Sequence, residues 1–333
     1  MEAAVGPRRR GGGRVAAALG LAVACACSGG EDTQTPTPTS PSLLPADARV
    51  VGGLLVGFGQ GYDLSTGQLG GAEDASATVL GAAFLAPDEA TGGEGTPAPL
   101  PFGFPIQDVS LETCLYTELA PEAAPRVRAA AAPGDATPTP LSLPLTDVGD
   151  AVTVTVDGVA HTLPRVEPED LPPPFRDQAL PPFYMISSDG LDAALYVEGG
   201  AYGIDVPGGE AVAGFTAADL VKPPAPLTVT WPALGGERVE IPLDAAAPLS
   251  WEASTAAWVA IDLRSTTGAG LSCVVADDGA FTLPAADLSR LPEGDALLTL
   301  ARVRVGFVEV RPGEIFVGLG AAAVSGAVEL KAP

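Results

Sequence analysis

The chain has 333 residues, with 41 acidic and 17 basic side chains and a formal net charge of −24. Its 41 glycines and 34 prolines would interrupt nearly every long helix, which excludes a large helical protein. The acidic surplus would repel phosphate, so nucleic acid is not an expected partner, and a single histidine excludes a histidine-rich metalloenzyme. Hydrophobic residues make up 47% of the chain, enough for a real core, and the length accommodates two domains at ~100–200 residues each.

Arg8, Arg9, Arg10 and Arg14 form a basic start, and Val15–Ala26 is a run of 12 small or apolar residues. That run is too short for a bilayer span, which needs ~20 residues, and it fits the apolar region of an export signal. It closes on Ala24-Cys25-Ala26-Cys27-Ser28-Gly29-Gly30, and a Thr/Pro/Ser-rich stretch follows. The whole pattern resembles a bacterial lipoprotein signal. The resemblance implies cleavage before a cysteine that then carries lipid, Cys27 in the first reading and Cys25 in the alternative. Position −3 is then Ala24 or Ala22, where that family usually has leucine. The implied address is outside the cytoplasm, at the periplasmic or cell-surface side of the inner or outer membrane, with the lipid as the membrane contact. Removing residues 1–27 takes away four arginines and one glutamate, leaving 13 basic and 40 acidic residues and a net charge of −27. Such an exterior repels itself and anionic headgroups alike.

Residues 28–46 read as an extended tether, because proline favours stiff open chain. Residues 47–222 read as a β-rich domain with long loops at Ala90–Pro105, Ala129–Pro144 and Pro164–Pro182. The clearest element in it is Val152–Val156, Asp157-Gly158, Val159–Leu163, a hairpin with a type I′ turn signal. A two-residue turn sets Val156 against Val159, Val154 against His161 and Val152 against Leu163. A second strand pair is expected around Gly199-Gly200, within Leu195–Val206.

The VKPPA stretch at Val221–Ala225 marks the expected boundary with a second domain, 223–333. Strand patterns follow at regular spacing, with Leu227, Val229 and Trp231 on one face, then Val239, Ile241 and Leu243. Val259, Ile261 and Leu263 point inward, with Trp258, Ala260 and Asp262 opposite. Leu271–Ala276 and Ala280–Leu283 flank an Asp277-Asp278-Gly279 turn. In Leu297–Phe307 the alternation places Ala301, Val303 and Val305 inward and Arg302 and Arg304 outward; Glu314–Leu330 supplies a last strand or two. Short strands separated by turn residues predict an all-β protein, two antiparallel β-sandwich-like domains. The strands at Pro226–Pro232, Ala257–Arg264 and Leu297–Val305 loosely resemble immunoglobulin-like and fibronectin type III sandwiches, which implies architecture and no activity.

Candidate chemistry is sparse. His161 is the sole histidine, and the hairpin parity puts it on an apolar face, where a packed residue is the expected reading. Cys114 and Cys273 are candidates for a disulfide in an exported protein, with two separate buried thiols as the alternative. Asp277-Asp278-Gly279 and Asp189-Gly190-Leu191-Asp192 are the densest candidates for calcium; neither matches the Asp-x-Asp-x-Asp-Gly loop. Trp258, and Trp251 in a loop beside Glu252, form a candidate ligand surface, since an exposed indole stacks on a sugar or anchors a protein partner. The functional expectation is a cell-envelope lipoprotein with a non-catalytic structural, adhesion or binding role. The alternatives are a carbohydrate-binding surface protein and a carboxylate-based hydrolase.

Overall fold

The computed structural model describes residues 49–60, 76–85, 112–117, 145–167, 182–234, 238–254 and 258–332. The expected signal, tether, both cysteines of the signal and most of the three long loops lie outside these residues. The described chain is almost entirely β. Its first strands are β1 (Arg49–Gln60), β2 (Ser76–Phe84), β3 (Thr113–Thr117), β4 (Ala151–Val156), β5 (Val159–Pro164), β6 (Tyr184–Asp189), β7 (Tyr202–Gly208) and β8 (Ala213–Val221). Then come β9 (Val229–Trp231), β10 (Val239–Pro242), β11 (Ala247–Trp251), β12 (Trp258–Ser265), β13 (Gly270–Ala276) and β14 (Ala280–Leu283). A one-turn helix α1 (Ala285–Leu288) precedes the two longest strands, β15 (Gly294–Arg311) and β16 (Glu314–Lys331), of 18 residues each.

A nine-stranded sheet runs in the order β3-β13-β12-β15-β16-β1-β2-β6, with β10 also paired to β16. Two small sheets, β5-β4-β7-β8 and β14-β11-β9, complete the fold. β1 runs parallel to Glu314–Val324 of β16, and β10 runs parallel to Val328–Lys331 on the same edge. The other pairings are antiparallel.

Each small sheet packs on a different half of the large one. Val152, Val154, Val156, Ile204 and Val206 of the four-stranded sheet meet Leu54, Val56, Leu80, Phe84 and Phe316 in one core. Leu249, Trp251 and Leu283 of the three-stranded sheet meet Ile261, Leu263, Leu271, Leu298, Leu300 and Leu330 in a second, to which α1 adds Leu288. The result is two sandwiches built on one shared sheet. The expected boundary at 222/223 falls between the strands of the two small sheets, while the large sheet draws strands from both sides of it. The boundary segment itself lies flat against the protein. Pro223 and Pro224 are buried, Tyr196 Oη donates to the Pro224 carbonyl at 2.6 Å, and a Cβ on Gly320 would meet Pro223 Cα at 2.8 Å.

The opposite face of the large sheet is also apolar and buried, through Leu55, Val79, Ala301, Val303, Leu319 and Ala323. Strands covered on both faces lose their polar alternation. That is why β1 reads as an unbroken VVGGLLVGF, and why Arg302, expected to point to solvent, is 3% exposed on the face opposite Ala301 and Val303.

The β4–β5 hairpin has the register its turn dipeptide requires, Val156 to Val159, Val154 to His161 and Val152 to Leu163. Asp157 and Gly158 take φ of 46° and 84°, as a type I′ turn demands. The strand pair expected around Gly199-Gly200 is different. Leu195–Val197 is a loop held by Tyr202, whose hydroxyl donates to the Leu195 carbonyl and accepts the Val197 N–H. β7 instead pairs with β4 on one edge and with β8 on the other, the latter reached across Gly209–Val212.

Candidate functional site

Cys114 in β3 and Cys273 in β13 are directly opposed in register and joined by a disulfide. β3 is the outermost strand of the large sheet, so the bond fastens an edge strand to its neighbour. Tyr116 of the same strand packs against the second core and lies under the Arg290 guanidinium, 4.0 Å from its ring centre.

The Asp277-Asp278-Gly279 turn has a structural use. Asp277 is buried; its Oδ2 accepts Arg302 Nε at 2.6 Å, and its Oδ1 accepts Trp251 Nε1 at 2.9 Å and Arg302 Nη2 at 3.2 Å. Arg302 Nη1 donates to the Ala225 and Pro226 carbonyls, and Nη2 also reaches the Glu252 carbonyl. All five guanidinium protons are therefore used. Three of the carboxylate's roughly four acceptor positions are thereby taken, and a cation there would face the Arg302 guanidinium. In the second calcium candidate, Asp192 Oδ1 accepts the Ala194 N–H at 2.9 Å, a local turn contact, and the Asp189 side chain lies outside the described residues.

Trp251 is therefore not a loop ligand. It ends β11, is 4% exposed, and spends its N–H on Asp277. Trp258 does face away from Val259, Ile261 and Leu263, and it is half-buried across from Val303 and Ala276. Alternation assigns Trp231 to the core, yet it is 51% exposed. The cause is a bulge. Ser250 pairs with Trp231 and Trp251 pairs with Val229, so Thr230 is an extra residue on β9. One extra residue reverses the face of everything beyond it. Trp231 accordingly joins Ser250 on the solvent side of the three-stranded sheet, beside a Thr230–Ser250 hydroxyl contact of 2.8 Å. No residue type in the sequence announces this bulge, so the indole it presents was not legible there.

His161 faces inward beside Val154, and its Nε2 is buried without a hydrogen-bond partner among the described residues, as is Ser188 Oγ. A third polar group, the Tyr184 hydroxyl, is fully engaged. It accepts the Val148 N–H at 2.9 Å and lies 2.8 Å from Asp147 Oδ1. Burial pushes the Tyr184 phenol up to about 12, while the Gly149 N–H holds the Asp147 carboxyl below its ordinary value. Arg165 then bridges Asp147 and Glu167 at the rim.

Among the described residues no helix is long and apolar enough to cross a membrane, which leaves strand-based spanning unaddressed. No family model and no curated protein matches the chain. Among solved structures, one match comes from work on host cell surface retention of a 1.5-MDa bacterial ice-binding adhesin, at 10% identity and a TM-score of 0.15. The alignment covers 81% of this chain and 63% of that one, so this chain spans less than two thirds of its length.

Proposed function

We propose that the protein is an exported cell-envelope lipoprotein, lipid-anchored at Cys27 with Cys25 as the alternative, whose two-sandwich body has a non-catalytic structural, adhesion or binding role. The observation that carries export is the Cys114–Cys273 disulfide, since such bonds persist in oxidising compartments and are reduced in the cytosol. The basic start, the short apolar run and the small-residue cysteine site at residues 8–30 support the same address independently. A non-catalytic role is supported by where the reactive side chains go. The sole histidine packs inward beside Val154, and Asp277 is consumed by Arg302 and Trp251. The net charge of −27 left after removal of residues 1–27 sets the body against anionic headgroups, so the lipid is the membrane contact. Metabolic labelling with a palmitate analogue tests this. Wild type is labelled and Cys27→Ala is not; a label retained there and lost in Cys25→Ala moves the lipid by two residues. An unlabelled wild type overturns the lipoprotein reading.

A further inference from the structure

The three-stranded sheet has a solvent face made of Thr230, Trp231, Pro248, Ser250, Ala280 and Thr282. Their neighbours Val229, Leu249, Trp251, Phe281 and Leu283 point the other way, into the second core. None of the six is charged, in a chain with 58 charged residues among 333. Three strands about 4.8 Å apart give a platform roughly 10–15 Å across, the width of one to two sugar rings. The indole is the only large apolar group on it, and the bulge at Thr230 is what turns it outward. Turned outward, the indole forgoes part of the apolar burial a core position would give it.

We propose that this face is a binding site for a neutral polysaccharide, with Trp231 stacking on the apolar face of a pyranose ring and the Thr230, Ser250 and Thr282 hydroxyls meeting its equatorial hydroxyls. The charge pattern selects the occupant. A chain at −24, or −27 without residues 1–27, repels uronic acids, phosphorylated glycans and other polyanions. Hydroxyls both donate and accept, which matches a polyol. At the end of the platform Asp278 and Glu252 are exposed and can accept further sugar hydroxyls. The site goes beyond the envelope reading and does not depend on the lipid, so the two fail separately.

The test uses the full chain in detergent, pulled down on insoluble cellulose, xylan, chitin and mannan, with tryptophan fluorescence read against soluble oligosaccharides of the same four. Wild type is retained on at least one of them and its emission shifts on binding. Trp231→Ala weakens retention by roughly ten-fold or more, the scale of losing one aromatic anchor. Trp231→Tyr keeps part of it, and Phe307→Ala, which removes an exposed ring elsewhere, changes nothing. Matching circular dichroism and melting curves show that the variants fold. Retention on none of the four, or retention that survives Trp231→Ala, overturns the proposal. So does a wild-type dimer in sedimentation that Trp231→Ala dissociates, because the face would then be an interface between copies.

Discussion

Asp277→Asn isolates the charge of the buried Arg302–Asp277 pair. Asparagine is nearly isosteric, and its Oδ1 can still accept the Trp251 N–H now found at 2.9 Å. What disappears is the negative charge facing a guanidinium that is 3% exposed and has no water to turn to. Removing one partner of a buried pair costs about 3–5 kcal/mol, because the survivor is left uncompensated. The cost here belongs at the upper end of that range. The other three guanidinium contacts are backbone carbonyls of Ala225, Pro226 and Glu252, which carry partial charge only and hold Arg302 where it is. Urea denaturation followed by far-UV circular dichroism, with the slope held constant, should show a loss of that size. At 2–4 °C per kcal/mol the melting point should fall by roughly 10 °C. Arg302→Met in the same background removes the stranded charge, so the double variant should be more stable than the sum of the singles requires, by about 2–3 kcal/mol. An Asp277→Asn loss under about 1 kcal/mol, or strict additivity, would refute the view that this pair is a coupled internal tie.

Three further outcomes are expected. Replacing Cys114 and Cys273 by alanine opens a loop of 159 residues, worth up to about 5 kcal/mol in chain entropy; wild type should lose a comparable amount in reductant and the double variant should not respond to it, and an unresponsive wild type would deny the pairing. Burial raises Tyr184 and Tyr202 to about 12 and Tyr196 higher still, against 10.0 for the free phenol. Raised folded values mean a stabilisation that is whole below pH 10 and is lost as pH climbs through 12, so tyrosinate absorbance and unfolding should appear together in that window; tyrosinate forming near pH 10 with the fold intact would contradict the burial. A Cβ at Gly306 would run into the Leu220 carbonyl oxygen, so Gly306→Ala should prise β15 from β8 and cost about 1–3 kcal/mol or more in the same denaturation assay; an unchanged midpoint would deny that close approach.

The β4–β5 hairpin could be read residue by residue because Asp157-Gly158 admits essentially one turn, and that turn fixes the register of all six pairs. Trp258 could be assigned to the right face because β12 alternates without interruption across Val259, Ile261 and Leu263. The same logic failed at Trp231, since period-two reasoning carries no information about an inserted residue, and Thr230 looks like any other strand threonine. It failed at Arg302 for a different reason. Alternation reports a buried face and a wet face, and β15 crosses a sheet that is covered on both. β1 and β2 lacked any alternating pattern to find, being apolar or glycine on both faces, and the pairing of β1 with β16 spans 265 residues at its first contact. The candidate disulfide was legible as a pair of residues; its formation depends on β3 reaching β13 from across the sheet, which no local pattern encodes.

Acidic excess makes every cation scarce, and the described ones are placed with economy. β16 has two parallel neighbours along one edge, and each is fastened by one ion pair at an end of the strand. Arg49 holds Glu314 where β1 begins, and Lys331 holds Glu240 where β10 lies. Arg238 adds a pair to Asp295 at the start of β15, at 2.6 Å. Exposed pairs of this kind contribute about 0–1 kcal/mol each and weaken with salt, so they do not hold the sheet together; the apolar pattern on its two faces does. Parallel pairing lacks a tight turn to set its register, and β1 must find β16 from the far end of the chain. An attractive pair at the first contact favours that register over a slip that would part Arg49 from Glu314. The burial of Arg302 follows from the same scarcity. It is one of 17 basic residues, and it is placed where a single side chain can tie the boundary segment, the end of β11 and the β13–β14 turn to the strand that both cores share.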